Sequence, residues 1–180
     1  MPPKTKITKE MILDAAFEIT RRSGIDKLSA RTISKELDCS TQPIMYNFPT
    51  IESIRRNVYT KADEFHMQYI MKPTGRFGHP LLEIAMSYIR FANEETNLFK
   101  FLFRSGGFSV ESVKDLIDES AFAPVLDKLA VELKSDLGYA KEYFFAKYLM
   151  VHGLACLIAD KSMPYDEDLI LNLILGTQSV

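Results

Sequence analysis

Residues 39–48 read CSTQPIMYNF, and within them Thr41, Gln42, Tyr46 and Asn47 offer hydrogen bonds without carrying charge. Gln can pair in bidentate fashion with N6 and N7 of adenine, while Thr offers its methyl to thymine and its hydroxyl to phosphate. Arg31 suits O6 and N7 of guanine. Tyr46 and Asn47 suit phosphate or sugar, contacts that position a protein on a duplex without reading its sequence. Ser29, Ser40 and Thr50 each precede an apolar-periodic segment, where a hydroxyl caps a helix whose free N–H groups suit another phosphate. Pro43 completes the set, because in the first turn of a helix its missing N–H has no intrahelical partner to lose. These positions act together only if short helices present them on one face.

The flanking sequence supplies such helices. Thr8 caps a first helix, with Ile7 and Ile12 as its hydrophobic staple and Ile12, Ala15, Ala16 and Ile19 as its apolar face. Gly24, after Arg21 and Arg22, ends it and is free to turn left-handed. Ser29 caps a second helix that runs to about Leu37, with Leu28 and Ile33 as its staple. Asp38 tolerates a left-handed backbone, and Cys39 is small enough to tuck inward. Ser40 as the next cap places Pro43 at N3, with Ile44 and Phe48 facing inward. Thr50 opens a fourth helix. A short helix with a polar leading end and an apolar back, set across a tight turn, has the form that a helix-turn-helix inserts into the major groove.

Composition bounds the rest. The chain has 180 residues, 47% of them apolar, and its apolar residues recur mostly at intervals of three and four, so an all-α fold is expected. Residues 1–61 hold 11 Lys/Arg against 7 Asp/Glu, a net +4, and residues 62–180 hold 11 against 17, a net −6. A cationic head on an anionic body fits a head that meets a polyanion. Cys39 and Cys156 stand alone, which points to reduced thiols and no zinc site. The N-terminus lacks an apolar signal core, and the run Tyr148–Ala159 is short of the ~20 residues that span a bilayer, so a cytoplasmic protein without membrane insertion is expected. His66, His79 and His152 have no HxxxH or HExxH spacing, and neither a Gly-rich phosphate loop nor a GxSxG elbow is present. No catalytic, metal or cofactor site is expected.

The segments ILDAAFEI, LSARTISKEL and DCSTQPIMYNFPTIESI resemble the N-terminal domain of the tetracycline-repressor (TetR) family over roughly residues 8–58. The resemblance implies a three-helix DNA-binding head, a long fourth helix leading into an all-helical ligand-binding body, and a homodimer reading a palindromic operator. Phe48-Pro49 matches the family's Phe-Pro after the recognition helix, and Ser40 its cap. Asp38 and Ser34 replace the usual Gly and Ala of the turn and second helix, and Thr20 a common Phe. Met45, followed by Tyr46, stands for the family's Tyr, and Ile51 for its Lys. Phosphate contacts would then fall to Tyr46, Arg55 or Arg56.

A helix-turn-helix domain over residues 1–56 and a ligand-binding and dimerisation domain over residues 57–180 are therefore expected. After the break KPTGRFGHP, helices are expected near 80–95, 97–105, 110–119, 122–136, 138–160 and 166–176. FFAKYLMVHGLACLIA and LILNLILG are apolar on more than one face and suit half of a four-helix dimer seam, with Gly153 allowing close approach. VHGLACLIA with NLFKFLFRSG also looks similar to a sensor-domain subgroup of the family. The aromatic body, which includes Phe99, Phe101 and Tyr143, suits a pocket for a small-molecule effector. Phe103, Phe108, Phe122, Tyr148 and His152 are its candidate ligand contacts. The expected function is ligand-responsive transcriptional regulation, most simply repression. The alternative is an all-helical small-molecule-binding or scaffold protein that does not read DNA.

Overall fold

The structure, a computed structural model, describes residues 7–72, 74–104, 115 and 123–176. Every regular element among them is helical: α1 Lys9–Ser23, a 3₁₀ turn Ile25–Lys27, α2 Ala30–Glu36, α3 Gln42–Asn47, α4 Ile51–Ile70, α5 Pro80–Glu94, α6 Thr96–Arg104, α7 Ala123–Leu133, α8 Leu137–Ala159 and α9 Glu167–Gly176. The helix expected near 110–119 lies, apart from residue 115, outside the described residues.

Local chemistry sets most boundaries. The Thr8 hydroxyl accepts from Met11 N at 3.2 Å, and that of Thr50 accepts from Ser53 N at 3.1 Å. Ser29 and Thr32 form a reciprocal capping box, each side chain accepting from the other's backbone N–H, at 3.1 and 2.9 Å. Asp38 takes the left-handed conformation expected of it, at φ +47°. Two local expectations are corrected. Gly24 has φ +86° but an extended ψ of 158°, a region open almost only to glycine, so α1 feeds a 3₁₀ turn and not a left-handed cap. Ser40 does not cap α3. Thr41 already has helical dihedrals (φ −70°, ψ −15°) and precedes the helix without a side-chain capping bond, so Pro43 sits one position earlier than expected.

Ile12, Ile33, Ile44 and Ile54 are fully buried and fuse the first four helices into one core. Each contributes about 1.5–3 kcal/mol by leaving water. Several contacts join this head to the body, among them the Lys61–Asp14 ion pair and two sets around Arg21 and Phe65. Arg21 makes a bidentate ion pair with Glu95 and accepts, through its backbone carbonyl, a 3.0 Å bond from the Asn97 amide. Phe17 meets Phe65 edge-on at 5.6 Å, and the Arg21 guanidinium lies over the same Phe65 ring.

In the body, α5 packs along α8, α7 covers α8 from another side, and α4 and α6 close the core. Phe99 and Phe101 are buried there as plain core. Helix α8, 23 residues, is long and apolar enough to cross a membrane, although its most apolar run of uncharged residues is short. Only 28% of its most apolar window is buried within the chain. Part of its apolar surface is therefore left uncovered by the described residues.

Candidate functional site

Helix α3 is held from behind by Ile44 and Phe48, both buried, with Lys9 lying over the Phe48 ring. That seating turns Ser40, Thr41, Gln42 and Met45 outward, and leaves Tyr46 88% exposed. Pro43 and Asn47 are half-buried at the flank of the same helix. Arg31 is exposed on α2, and Thr50 is exposed at the start of α4. The nine positions singled out in the sequence thus lie on the three consecutive elements of the turn and the helix starts beside it. Asn47 is partly committed: its amide nitrogen donates to Pro43 O at 2.8 Å and reaches Ile7 O at 3.5 Å. The hydroxyls of Ser29 and Thr50 are acceptors in their caps. Arg56 is exposed, whereas Arg55 is half-buried, with its Nε lacking a partner among the described residues.

A second feature lies in the body. A cavity of ≈ 770 Å³ opens between α4, α5, α6, α7, α8 and α9, a size typical of small-molecule sites. Its wall runs from the buried His66, Tyr88 and Val151 to the exposed Glu132 and Leu175. Phe103 and Tyr148 line it, as does Tyr143. Phe108 and Phe122 lie outside the described residues. His152, expected as a ligand contact, is not on the wall. It stands behind, stacked on Tyr148 at 5.7 Å, with Nδ1 2.8 Å from the Tyr88 hydroxyl and Nε2 3.4 Å from Cys156 Sγ. The Tyr88 and Tyr148 hydroxyls are 3.3 Å apart. Burial pushes the Tyr148 phenol up to about 12, pushes that of Tyr88 up as well, and lowers the His152 imidazole. The inner wall is consequently neutral at ordinary pH.

Sequence reasoning passed over His66. It belongs to the buried row Ile54, Val58, Ala62, His66, Ile70, which recurs every four residues along α4, and a histidine in such a row was the available signal. Its ring is 3% exposed and surrounded by the edges and faces of Tyr88, Phe91 and Phe103 at 5.5, 4.9 and 5.2 Å. Neither ring nitrogen has a hydrogen-bond partner among the described residues. Desolvation lowers its pKa to about 4, so it is a neutral imidazole.

The segment 74–79 crosses the cavity, contributing Phe77 and His79 to its wall. Three ties hold it. Glu83 accepts from Phe77 N at 2.7 Å, from Thr74 N at 3.0 Å and from the Thr74 hydroxyl. Arg76 pairs in bidentate fashion with Glu167 on α9, and His79 Nε2 lies 2.8 Å from Glu132 on α7. The backbone bonds from Phe77 and the Thr74 hydroxyl hold the Glu83 carboxyl at about 2. With the folded value depressed, this tie is fully present above the ordinary carboxylate range and is lost as pH falls through about 2. Charge-assisted bonds are roughly twice as strong as neutral ones. Glu83→Gln is therefore expected to speed hydrogen exchange at the Thr74 and Phe77 amides at neutral pH, on the order of tenfold relative to intrinsic rates. Unchanged protection at both amides would show that the other two ties suffice.

No protein-family model matches the chain. It is 25% identical to an uncharacterised HTH-type transcriptional regulator, YobS of Bacillus subtilis (strain 168), over 96% of this chain and 90% of the relative. Among solved structures it is similar to a TetR-family member, SCO1917 of Streptomyces coelicolor A3, with a TM-score of 0.57, 18% identity, and coverage of 93% of this chain and 95% of the other. It is also similar to the multidrug binding protein EbrR in complex with imidazole, with a TM-score of 0.55, 17% identity, and coverage of 93% and 87%. The chain thus has an all-helical fold similar to that of a TetR-family structure, and along nearly its whole length it is similar to an HTH-type transcriptional regulator.

Proposed function

We propose that the protein is a ligand-responsive transcriptional repressor that binds a palindromic operator as a homodimer. Residues 1–56 form the DNA-binding unit, and residues 57–180 the effector-binding and dimerisation unit. The observation that carries this reading is α3 itself: apolar residues fix its back, and its polar N-terminal end projects into solvent. Gln42 and Thr41 read base edges, Arg31 supports them from α2, and Ser29, Ser40, Pro43, Tyr46, Asn47 and Thr50 pack on the sugar-phosphate backbone.

A dimer is supported by two stripes of exposed apolar surface. Leu149, Gly153 and Leu157 follow one another at intervals of four along α8, and a Cβ at Gly153 would meet nothing within 4 Å. Leu169, Leu173 and Gly176 form the matching stripe on α9. Two such pairs meeting in antiparallel fashion bury all four stripes in a four-helix seam. Repression then depends on spacing, since both copies of α3 enter successive major grooves only when ~34 Å apart. An effector that prefers a body conformation with the heads misplaced weakens operator binding by its differential affinity for the two conformations.

The test is binding to fragments of the protein's own upstream region at rising salt. Affinity for every duplex is expected to fall steeply with salt, with one fragment preferred over random sequence throughout. Gln42→Ala is expected to cost about 1–3 kcal/mol on the preferred fragment and to relax base choice at one position. Tyr46→Phe weakens all sequences alike. Equal effects of the two substitutions on preferred and random duplex would refute the assignment of Gln42 to base reading.

A further inference from the structure

The geometry points to His66 as the hydrogen-bonding anchor of the effector, and so to an effector that inserts an uncharged ring bearing a hydroxyl or similar polar group into the inner end of the cavity. This inference rests on the reading of the cavity as an effector site and specifies what that site selects.

A buried polar group without a partner destabilises the fold, and native interiors rarely keep one without a use. Among the described residues, both nitrogens of one ring are in that state, on a residue 3% exposed at the cavity wall. A neutral imidazole carries one donor and one acceptor, so it accepts from an O–H or N–H and donates to a carbonyl or ether oxygen. Its neighbours restrict what arrives. The edges and faces of Tyr88, Phe91 and Phe103 frame it within 5.5 Å, which suits another flat ring making offset or edge contacts.

Charge is excluded from that end for a separate reason. The inner wall is neutral, as Tyr88, Tyr148 and His66 all keep their uncharged forms under burial. A cation or carboxylate placed there would be desolvated without a counter-charge. The ionisable lining residues, Glu132, His79 and Lys147, sit at the more exposed part of the wall. Any charged portion of the effector accordingly stays at that side.

The two remaining polar groups of the inner wall are already engaged. The Tyr88 hydroxyl is bonded to His152 and lies beside that of Tyr148. His66 alone among these inner groups has its hydrogen-bonding capacity unspent by the described residues. An effector hydroxyl placed on it replaces a buried deficit with a bond, which makes this position selective: an analogue lacking the hydroxyl leaves the deficit in place.

The test compares 2-naphthol with naphthalene on the full-length protein by calorimetry, for the wild type, His66→Leu and His66→Gln. Wild type is expected to bind 2-naphthol about tenfold more tightly than naphthalene, the value of one buried hydrogen bond. His66→Leu removes that preference while naphthalene binds as before, and His66→Gln, which keeps a donor and an acceptor at similar reach, restores part of it. Naphthalene and 2-naphthol binding wild type equally would overturn the anchor role and leave the effector cavity standing. A preference that survives in His66→Leu would also overturn it, by assigning the hydroxyl to another group. Binding of neither probe to any of the three proteins would remove the cavity reading itself, and this inference with it. Should His66→Leu fail to fold, the wild-type comparison and His66→Gln decide the matter alone.

Discussion

The double substitution Leu157→Arg, Leu173→Arg is expected to leave the protein folded and monomeric, with operator affinity reduced by about 100- to 10,000-fold. Both leucines are exposed within one chain, at 48% and 40%, so arginine at either position meets solvent in the monomer and little stability is lost. In a four-helix seam the same two positions are covered by the partner. Four guanidinium groups would then be desolvated in an apolar contact without counter-charges, at several kcal/mol for each ion. The loss of DNA affinity follows from geometry, because a monomer engages one half-site and forfeits the effective concentration that the second head enjoys once the first is bound. Sedimentation and operator titration of the two proteins check it. A wild type that is already monomeric at micromolar concentration, or a double variant that stays dimeric, would refute this seam. In that seam Gly153 would give the surface its close approach, since no described residue lies within 4 Å of where its side chain would project.

The second large effect concerns His66 and stability. In the unfolded chain its imidazole titrates near its ordinary 6.5, whereas burial holds it at about 4 in the fold. Between those values the unfolded state binds more protons, so stability falls as pH falls; above pH 6.5 and below pH 4 the contribution is flat. The full loss amounts to roughly 3 kcal/mol by about pH 4. His66→Leu is expected to abolish this slope and, at neutral pH, to raise stability by about 1–3 kcal/mol, because two buried polar atoms without partners among the described residues give way to an apolar group of similar size. Urea titrations of the two proteins at pH 7.5, 5.5 and 4.5 check both statements. His152, also lowered by burial, adds a slope of the same sign that the substitution leaves in place. An acid slope identical in the two proteins would show that His66 is not the group that titrates. A rise in neutral stability together with loss of 2-naphthol preference would mark His66 as a residue kept for binding at the expense of the fold.

The ties between head and body explain how such a ligand contact reaches DNA under the proposed function. His66 lies on α4, which Thr50 caps, and the head is also joined to the body by contacts that include the Arg21–Glu95 pair, the Asn97–Arg21 bond, the Lys61–Asp14 pair and the Phe17–Phe65 contact. A ligand-induced shift of α4 against α5 and α6 therefore has few independent ways to be absorbed before it moves α3.

The head was readable from sequence because its determinants are local. Thr8, Ser29 and Thr50 cap helices through bonds to backbone three residues on, and the left-handed Asp38 needs only its own backbone, so pattern and spacing suffice. The error at Ser40 is also local: one residue of helical dihedral at Thr41 separates the expected cap from the observed one. The body was readable only as helices. The Tyr88–His152 bond spans 64 residues, the Arg76–Glu167 tie 91, and the cavity draws its wall from six helices, so no sequence window contains the site. By itself the sequence determined the all-helical class, the polar-tipped third helix and the apolar stripes, since each follows from periods of three and four along one segment. Only the tertiary structure decided that His152 supports the cavity wall from behind while His66 lines it without a hydrogen-bond partner among the described residues. Burial and hydrogen-bond satisfaction are properties of what surrounds a side chain, and those surroundings come from helices distant in the chain.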